Sequence, residues 1–129
     1  MDRAFLDWPF FENGAPAFWD EAVRWADETV PGLVDAQDER KEAVADSCRA
    51  LVGAMGRAGL LAAATSLAAP LSARKLCLMR DALASRAALA DFAFAMQGLG
   101  SGPISLYGSD AQKATYLPGV VAGDTLAAF

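Results

Sequence analysis

The residue types that usually carry out catalysis are scarce in this chain, and their spacing assembles no catalytic group. Histidine is absent altogether, which removes the commonest general base and the commonest zinc ligand. Without a histidine or another activating group beside it, a serine or cysteine stays a weak nucleophile. The sequence therefore predicts no catalytic residue and no metal site within these 129 residues.

Carboxylates and thiols are the remaining candidates for chemistry. Four acidic residues lie where a helix is predicted to begin, and we interpret them as a solvated face, because the first turn of a helix favours negative charge. They are Asp35, Asp38, Glu39 and Glu42. Cys48 and Cys77 lie far apart without a paired CxxC spacing, so we expect two free, buried thiols in a reducing compartment.

Composition and charge narrow the class of protein. The chain is 54% hydrophobic with a net charge of −5, and an acidic balance argues against a nucleic-acid surface. Abundant alanine and leucine favour helices. Two uncharged runs, 58–73 and 92–109, contain prolines, glycines and hydroxyl side chains, so neither predicts a membrane span. The N-terminus carries Asp2 and Asp7 rather than the positive charge of a signal peptide.

Periodicity and capping residues predict an all-α fold, an up-and-down bundle of about five or six helices. The first helix is predicted from about Pro16 to Val30, the second from Asp38 to Ala58, the third after Ser72, the fourth from Ala87 to Leu106, and the fifth from Ser109 until Pro118 breaks or restarts it. Ser72 and Ser109 are predicted N-caps, the latter with Gln112 in the capping-box position, and Gly59 is a predicted stop signal. The aromatic N-terminal residues, among them Phe5, Trp8, Phe10 and Phe11, either pack as a lid on this bundle or dock on a partner.

The predicted fourth helix is the most informative segment, since it is apolar nearly all round and is therefore expected to be buried on most sides. Phe92, Ala95, Met96 and Leu99 follow one another at helical spacing and form a continuous apolar stripe. Periodicity alone favours an ordinary bundle core for this stripe, and the alternative is the wall of a pocket for a long apolar ligand. The glycines at 98, 100 and 102 do not make a dinucleotide fingerprint, but they allow another backbone or a flat ligand to approach closely.

The last five residues, 125–129, are apolar and have the composition of a strand. A helical domain rarely ends on an unpaired hydrophobic strand, because such an edge promotes aggregation. We therefore expect a helical domain over residues 1–124, and in 125–129 the start of a β domain in a longer protein.

The segment from Ala90 to Asp124 resembles the acyl-CoA dehydrogenases, flavoenzymes of fatty-acid and related acyl-CoA oxidation. The resemblance rests on Tyr107-Gly108-Ser109, Gln112-Lys113 and Tyr116-Leu117-Pro118, followed by the Gly123-Asp124 turn and Ala127-Ala128-Phe129. Residues 48–61 also look like the family's second helix with its terminal glycine. The alanine-rich stretch 60–70 departs from the family pattern, so unusual packing or poor order is expected there.

This resemblance implies a helical N-terminal domain that packs against a middle β domain and a C-terminal helical bundle, together binding FAD and an acyl-CoA. A carboxylate outside this chain would take the α proton while the β hydride passes to the flavin, so the chain alone is expected to be inactive. Phe129 matches a position along the flavin ring. Phe92, Ala95 and Leu99 match positions that face the acyl pocket, and the helical spacing adds Met96.

The resemblance also implies electron-transfer flavoprotein or a similar acceptor as partner and a homodimer or homotetramer. From the free thiols and the lack of a targeting segment we expect a cytoplasmic, bacterial location. An alternative from another class is a stand-alone helical interaction or lipid-binding module without catalysis.

Overall fold

A computed structural model describes residues 3–35, 40–67 and 69–128 of the chain. Within these ranges the chain forms five α-helices and no strand, which confirms the predicted all-α class. The helices are α1 (Ala15–Thr29), α2 (Lys41–Arg57), α3 (Ala73–Ala84), α4 (Ala88–Tyr107) and α5 (Asp110–Ala122). Short 3-10 helices cover Ala4–Asp7, Val30–Gly32 and Leu60–Ala64.

The predicted helix ends agree with the structure because capping is a local interaction. The Ser72 hydroxyl accepts a hydrogen bond from the Lys75 amide at 3.3 Å, at the start of α3. At the start of α5, the Ser109 amide donates to Gln112 Oε1 at 2.8 Å and the Gln112 amide donates to the Ser109 hydroxyl at 3.3 Å. This reciprocal pair is the predicted capping box. Gly59 follows α2 with a φ of 74°, the left-handed conformation in which glycine commonly ends a helix.

The predicted break at Pro118 is wrong, because α5 continues through this residue to Ala122. A proline inside a helix removes one intrahelical donor, and here both helix ends are capped. At the C-terminal end Gly123 adopts a φ of 77°, and the amides of Asp124 and Thr125 donate to the Gly119 carbonyl at 3.0 and 3.1 Å. The helix thus continues across the proline and ends at the Gly123 turn.

The hydrophobic core lies between α1, α2, α3, α4 and the 3-10 helix Leu60–Ala64. Trp19 on α1 is only 3% exposed, and its indole Nε1 donates to Asp81 Oδ2 of α3 at 2.8 Å. Leu60, Leu61 and Ala64 are buried in this core. The beginning of the alanine-rich stretch 60–70, which differs from the family pattern, is therefore well packed.

A second connection joins α1 to the turn after α3. Arg86 donates two hydrogen bonds to the Asp27 carboxylate, at 2.5 and 2.9 Å. These bonds stabilise the ionised carboxylate, so Arg86 holds the pKa of Asp27 below its usual range. The pair is solvent-exposed on the Asp27 side, where an ion pair contributes little to stability.

The N-terminal aromatic residues differ in how far they pack on the bundle. Phe5 is partly buried and makes edge contacts with Trp19 and Phe11, at ring-centroid distances of 5.8 and 6.0 Å. Trp8 and Phe10 contact each other at 5.5 Å, and both are exposed. Only part of the segment therefore covers the bundle.

Two further sequence predictions concern exposure. Asp35 and Glu42 are exposed, as expected of a solvated face, whereas Asp38 and Glu39 lie outside the described residues. No described helix combines the length and the apolar character needed to cross a membrane.

Candidate functional site

Helix α4 contacts α2, α3 and α5, yet its two long faces differ in exposure. One face is buried, and most of its side chains are small or polar: Ala90, Ala93, Phe94, Gln97, Ser101 and Ser105. The opposite face is apolar and open, with Phe92 55%, Leu99 58% and Leu106 57% exposed. The expectation that α4 is buried on most sides is therefore wrong, because apolar side chains surround the helix while neighbouring helices cover only part of it.

The predicted stripe lies on this open face. Phe92 and Leu99 are exposed, and Ala95 and Met96 are partly buried. The prediction that the stripe belongs to an ordinary bundle core is therefore wrong for Phe92 and Leu99. Residue spacing identifies which side chains share a helix face, but it does not identify what covers that face. The core position that the stripe omitted is Phe94, which is 1% exposed.

A cavity of about 350 Å³ opens beside the stripe, between α3, α4 and the 3-10 helix Leu60–Ala64. Its lining is largely apolar: Ala64, Leu71, Ala73, Leu76, Cys77, Arg80, Phe94, Ala95, Gly98 and Leu99. Two of the four stripe residues, Ala95 and Leu99, therefore line it, whereas Phe92 and Met96 do not. An apolar cavity of this size is within the range that small-molecule ligands use.

The one charged side chain of this lining is paired. Arg80 donates from Nε and Nη2 to the two carboxylate oxygens of Asp91, both at 2.8 Å. The bonds to Asp91 raise the pKa of Arg80, so the guanidinium stays charged and directed at the carboxylate. The cavity wall is consequently left to hydrocarbon groups, which suits an alkyl chain better than an anion.

Both cysteines are free, as predicted, but the prediction that both are buried is wrong. Cys77 is exposed and lines the cavity, because it lies on the open side of α3. Cys48 on α2 is partly buried, and burial raises the pKa of its thiol.

Residues 125–128 follow α5 without forming a helix or strand in the described chain, and they lie against α4. Gln97 Nε2 donates to the Thr125 carbonyl at 3.0 Å, and the Ala127 amide donates to Gln97 Oε1 at 2.6 Å. A Cβ added to Gly100 would lie 2.7 Å from the Ala128 nitrogen. The predicted close approach of a backbone to a glycine of α4 thus occurs at Gly100, whereas Gly102 faces open space.

Gln97 was not predicted as a site residue, because a single glutamine in an apolar helix has many structural explanations. The available signal was its polar character within a run that is otherwise uncharged and mostly apolar. A buried amide requires hydrogen-bond partners, and the missing step was which segment supplies them.

The apolar stripe of α4 lies between the cavity and residues 125–128. With 3.6 residues per turn, Gly98 and Gly100 lie on opposite sides of Leu99, about 100° away in each direction. The Gly98 side borders the cavity, and the Gly100 side contacts residues 127–128. The open apolar face of α4 therefore forms a common wall between an alkyl-sized cavity and an extended segment of the chain.

The remaining predicted site residue, Phe129, lies outside the described residues. Within the described part of the chain, no cluster of three or more histidine, cysteine, aspartate or glutamate side chains could hold a metal ion.

A protein-family model described as acyl-CoA dehydrogenase, N-terminal domain, matches residues 15–124. No curated protein matches the chain.

Proposed function

The chain belongs to the acyl-CoA dehydrogenase family, and we propose that it is the N-terminal part of an FAD-dependent enzyme that converts an acyl-CoA thioester to a trans-2-enoyl-CoA. In this proposal residues 1–124 form the helical domain and residues 125–129 open a β domain. The described chain brings no catalytic acid or base to the cavity, so the proposal assigns proton abstraction to a carboxylate elsewhere in the enzyme.

The observation that carries the proposal is the exposed apolar stripe of α4 beside the cavity. Exposed apolar surface of this kind marks a binding or packing site, because leaving it in water costs free energy. An alkyl chain gains from such a wall without requiring polar partners, and Arg80 is already paired with Asp91.

We assign the acyl-binding role to the four stripe residues. Leu99 and Ala95 line the cavity and would contact the alkyl chain there. Phe92 and Met96 extend the same face of α4 beyond the cavity, where they would cover a longer substrate or pack against the rest of the enzyme.

The described residues fit one part of FAD, the planar ring. Leu99 and Leu106 provide exposed apolar contacts on the open face of α4. A flat ring can lie against such an apolar surface. When bound, FAD would accept the β hydride of the substrate. We assign Phe129, which directly follows the segment held by Gln97 and Gly100, to contact with this ring.

Further parts of the proposal concern partners. We propose that the reduced enzyme passes electrons to electron-transfer flavoprotein or a similar acceptor, and that it works as a homodimer or homotetramer. A non-catalytic lipid-binding module would use the same cavity and is the competing outcome of the test below.

The test is anaerobic mixing of the purified intact protein with saturated acyl-CoAs of graded chain length. We expect a yellow protein whose oxidised flavin absorption is lost on mixing, with a product two hydrogens lighter by mass spectrometry. A colourless protein that binds no FAD, or one that binds acyl-CoA without forming the enoyl product, would contradict the proposed function.

A further inference from the structure

Gln97 uses its side-chain amide on a distant segment of the chain. The side chain is 1% exposed, and both of its polar atoms are paired, Nε2 with the Thr125 carbonyl and Oε1 with the Ala127 amide. Burying an amide is unfavourable unless its hydrogen bonds are made. These two bonds therefore fix the segment as much as they satisfy the glutamine.

The two hydrogen bonds of Gln97 are those that a neighbouring β-strand would make with residues 125–127. An extended backbone exposes a carbonyl and an amide two residues apart on the same edge, and a neighbouring strand pairs with both. Here one glutamine provides the donor and the acceptor that such a strand would provide. The nearby Ser101 is also buried. Its hydroxyl donates to the Gln97 backbone carbonyl at 2.6 Å, so this bond stays within α4 and does not hold residues 125–128.

Gly100 completes the arrangement one residue further along the segment. An added Cβ would meet the Ala128 nitrogen at 2.7 Å and the Ala127 carbonyl carbon at 2.9 Å. Backbone atoms cannot move aside as a flexible side chain can, so any side chain at 100 would displace the segment.

We propose that Gln97 and Gly100 form a clamp that positions residues 125–128 beside the apolar stripe of α4. This inference rests on the proposed function, because the clamp would determine where the bound flavin ring lies relative to the acyl chain. Gln97 is thus a positioning residue, which acts on the cofactor through the segment that it holds.

Two variants disrupt the clamp from different sides. Gln97→Leu keeps much of the volume but leaves the Thr125 carbonyl and the Ala127 amide without their partner. Gly100→Ala keeps Gln97 and adds the obstructing Cβ, and because alanine favours helices more than glycine, α4 itself should persist. Gly102→Ala is the matched control, since its added Cβ meets nothing within 4 Å.

The measurements are made on the intact protein: hydrogen exchange of the Ala127 amide, the dissociation constant of FAD, and the visible spectrum of bound flavin. In the two clamp variants we expect exchange to accelerate by about tenfold or more and the FAD dissociation constant to rise by about tenfold, the order expected for losing one or two buried hydrogen bonds. We also expect an altered flavin spectrum in both variants and wild-type values for Gly102→Ala.

Unchanged exchange in both clamp variants would overturn the clamp. Faster exchange with unchanged FAD affinity and spectrum would overturn its positioning role. If the wild-type protein binds no FAD, the proposed function fails with that positioning role, while the exchange measurement still decides whether the clamp exists. If Gln97→Leu does not fold, Gly100→Ala against Gly102→Ala provides the same comparison.

Discussion

Two cysteines with different surroundings make the candidate cavity accessible to experiment at the scale of single residues. Cys77 is exposed at the cavity lining, whereas Cys48 is partly buried on α2 with a raised thiol pKa. Because the thiolate is the reactive form, Cys48 should react slowly.

We expect an alkylating reagent to modify Cys77 of the intact protein faster than Cys48 near neutral pH, as measured by peptide mass spectrometry. A saturating long-chain acyl-CoA should slow the modification of Cys77 and leave Cys48 unchanged, because an alkyl chain in the cavity covers only Cys77. Modification of Cys77 at the same rate with and without acyl-CoA would argue against occupancy of this cavity.

Single-residue predictions from the sequence succeeded where the determining contact is local. The N-caps Ser72 and Ser109 each bond an amide three residues away, so the sequence alone contains both partners. Exposure is different, because it depends on which helices pack together. The stripe residues Phe92 and Leu99 were located correctly on one face of a helix, but their exposure and that of Cys77 required the tertiary arrangement.

At the scale of helices, the closest approach of α2 to α5 depends on a glycine. A Cβ added to Gly56 would clash with the backbone at Ala122 and Gly123, and backbone atoms at a helix end have little room to move. The contact thus permits α5 to lie against α2 without intervening side chains.

We expect Gly56→Ala to lower the free energy of unfolding by about 1–3 kcal/mol, the usual cost of overpacking, despite the helix propensity gained. Chemical denaturation of the intact protein measures this change. Gly102→Ala, in open space on α4, should cost nothing or stabilise slightly. A Gly56→Ala protein as stable as the Gly102→Ala protein would show that the α2–α5 contact is looser than described.

Helix positions were predictable from the sequence to a greater extent than the connections between helices. The starts of α3, α4 and α5 and the end of α4 follow from periodicity and capping, whereas the break expected at Pro118 does not occur. The role of Gln97 could not be derived in this way, because its partners Thr125 and Ala127 lie nearly thirty positions further along the chain. Long-range pairings of this kind depend on the packed bundle rather than on local pattern.

At the scale of the whole molecule, part of the 54% hydrophobic content lies on the surface rather than in the core. Exposed large apolar side chains occur along α4 and after it, including Phe92, Leu99, Leu106, Tyr107 and Leu126. Family membership and this uncovered surface together support the proposal that further domains of an acyl-CoA dehydrogenase cover part of the face and leave the remainder to substrate and flavin.

A matched pair of tryptophan variants tests the proposal that the acyl chain lies against the α4 stripe at the cavity. Leu99 and Leu106 lie on the same face of α4 and are 58% and 57% exposed, but only Leu99 lines the cavity. Adding bulk at Leu99 should therefore obstruct a long alkyl chain more than a short one.

The decisive measurement is the KM of the intact enzyme for acyl-CoAs of increasing chain length. We expect Leu99→Trp to raise the KM for long chains by about tenfold, as loss of a pocket of one or two methylenes would, with a much smaller rise for short chains and no length dependence in Leu106→Trp. An equal rise for all chain lengths in Leu99→Trp, or the same profile in both variants, would contradict an acyl-binding role for this face of α4.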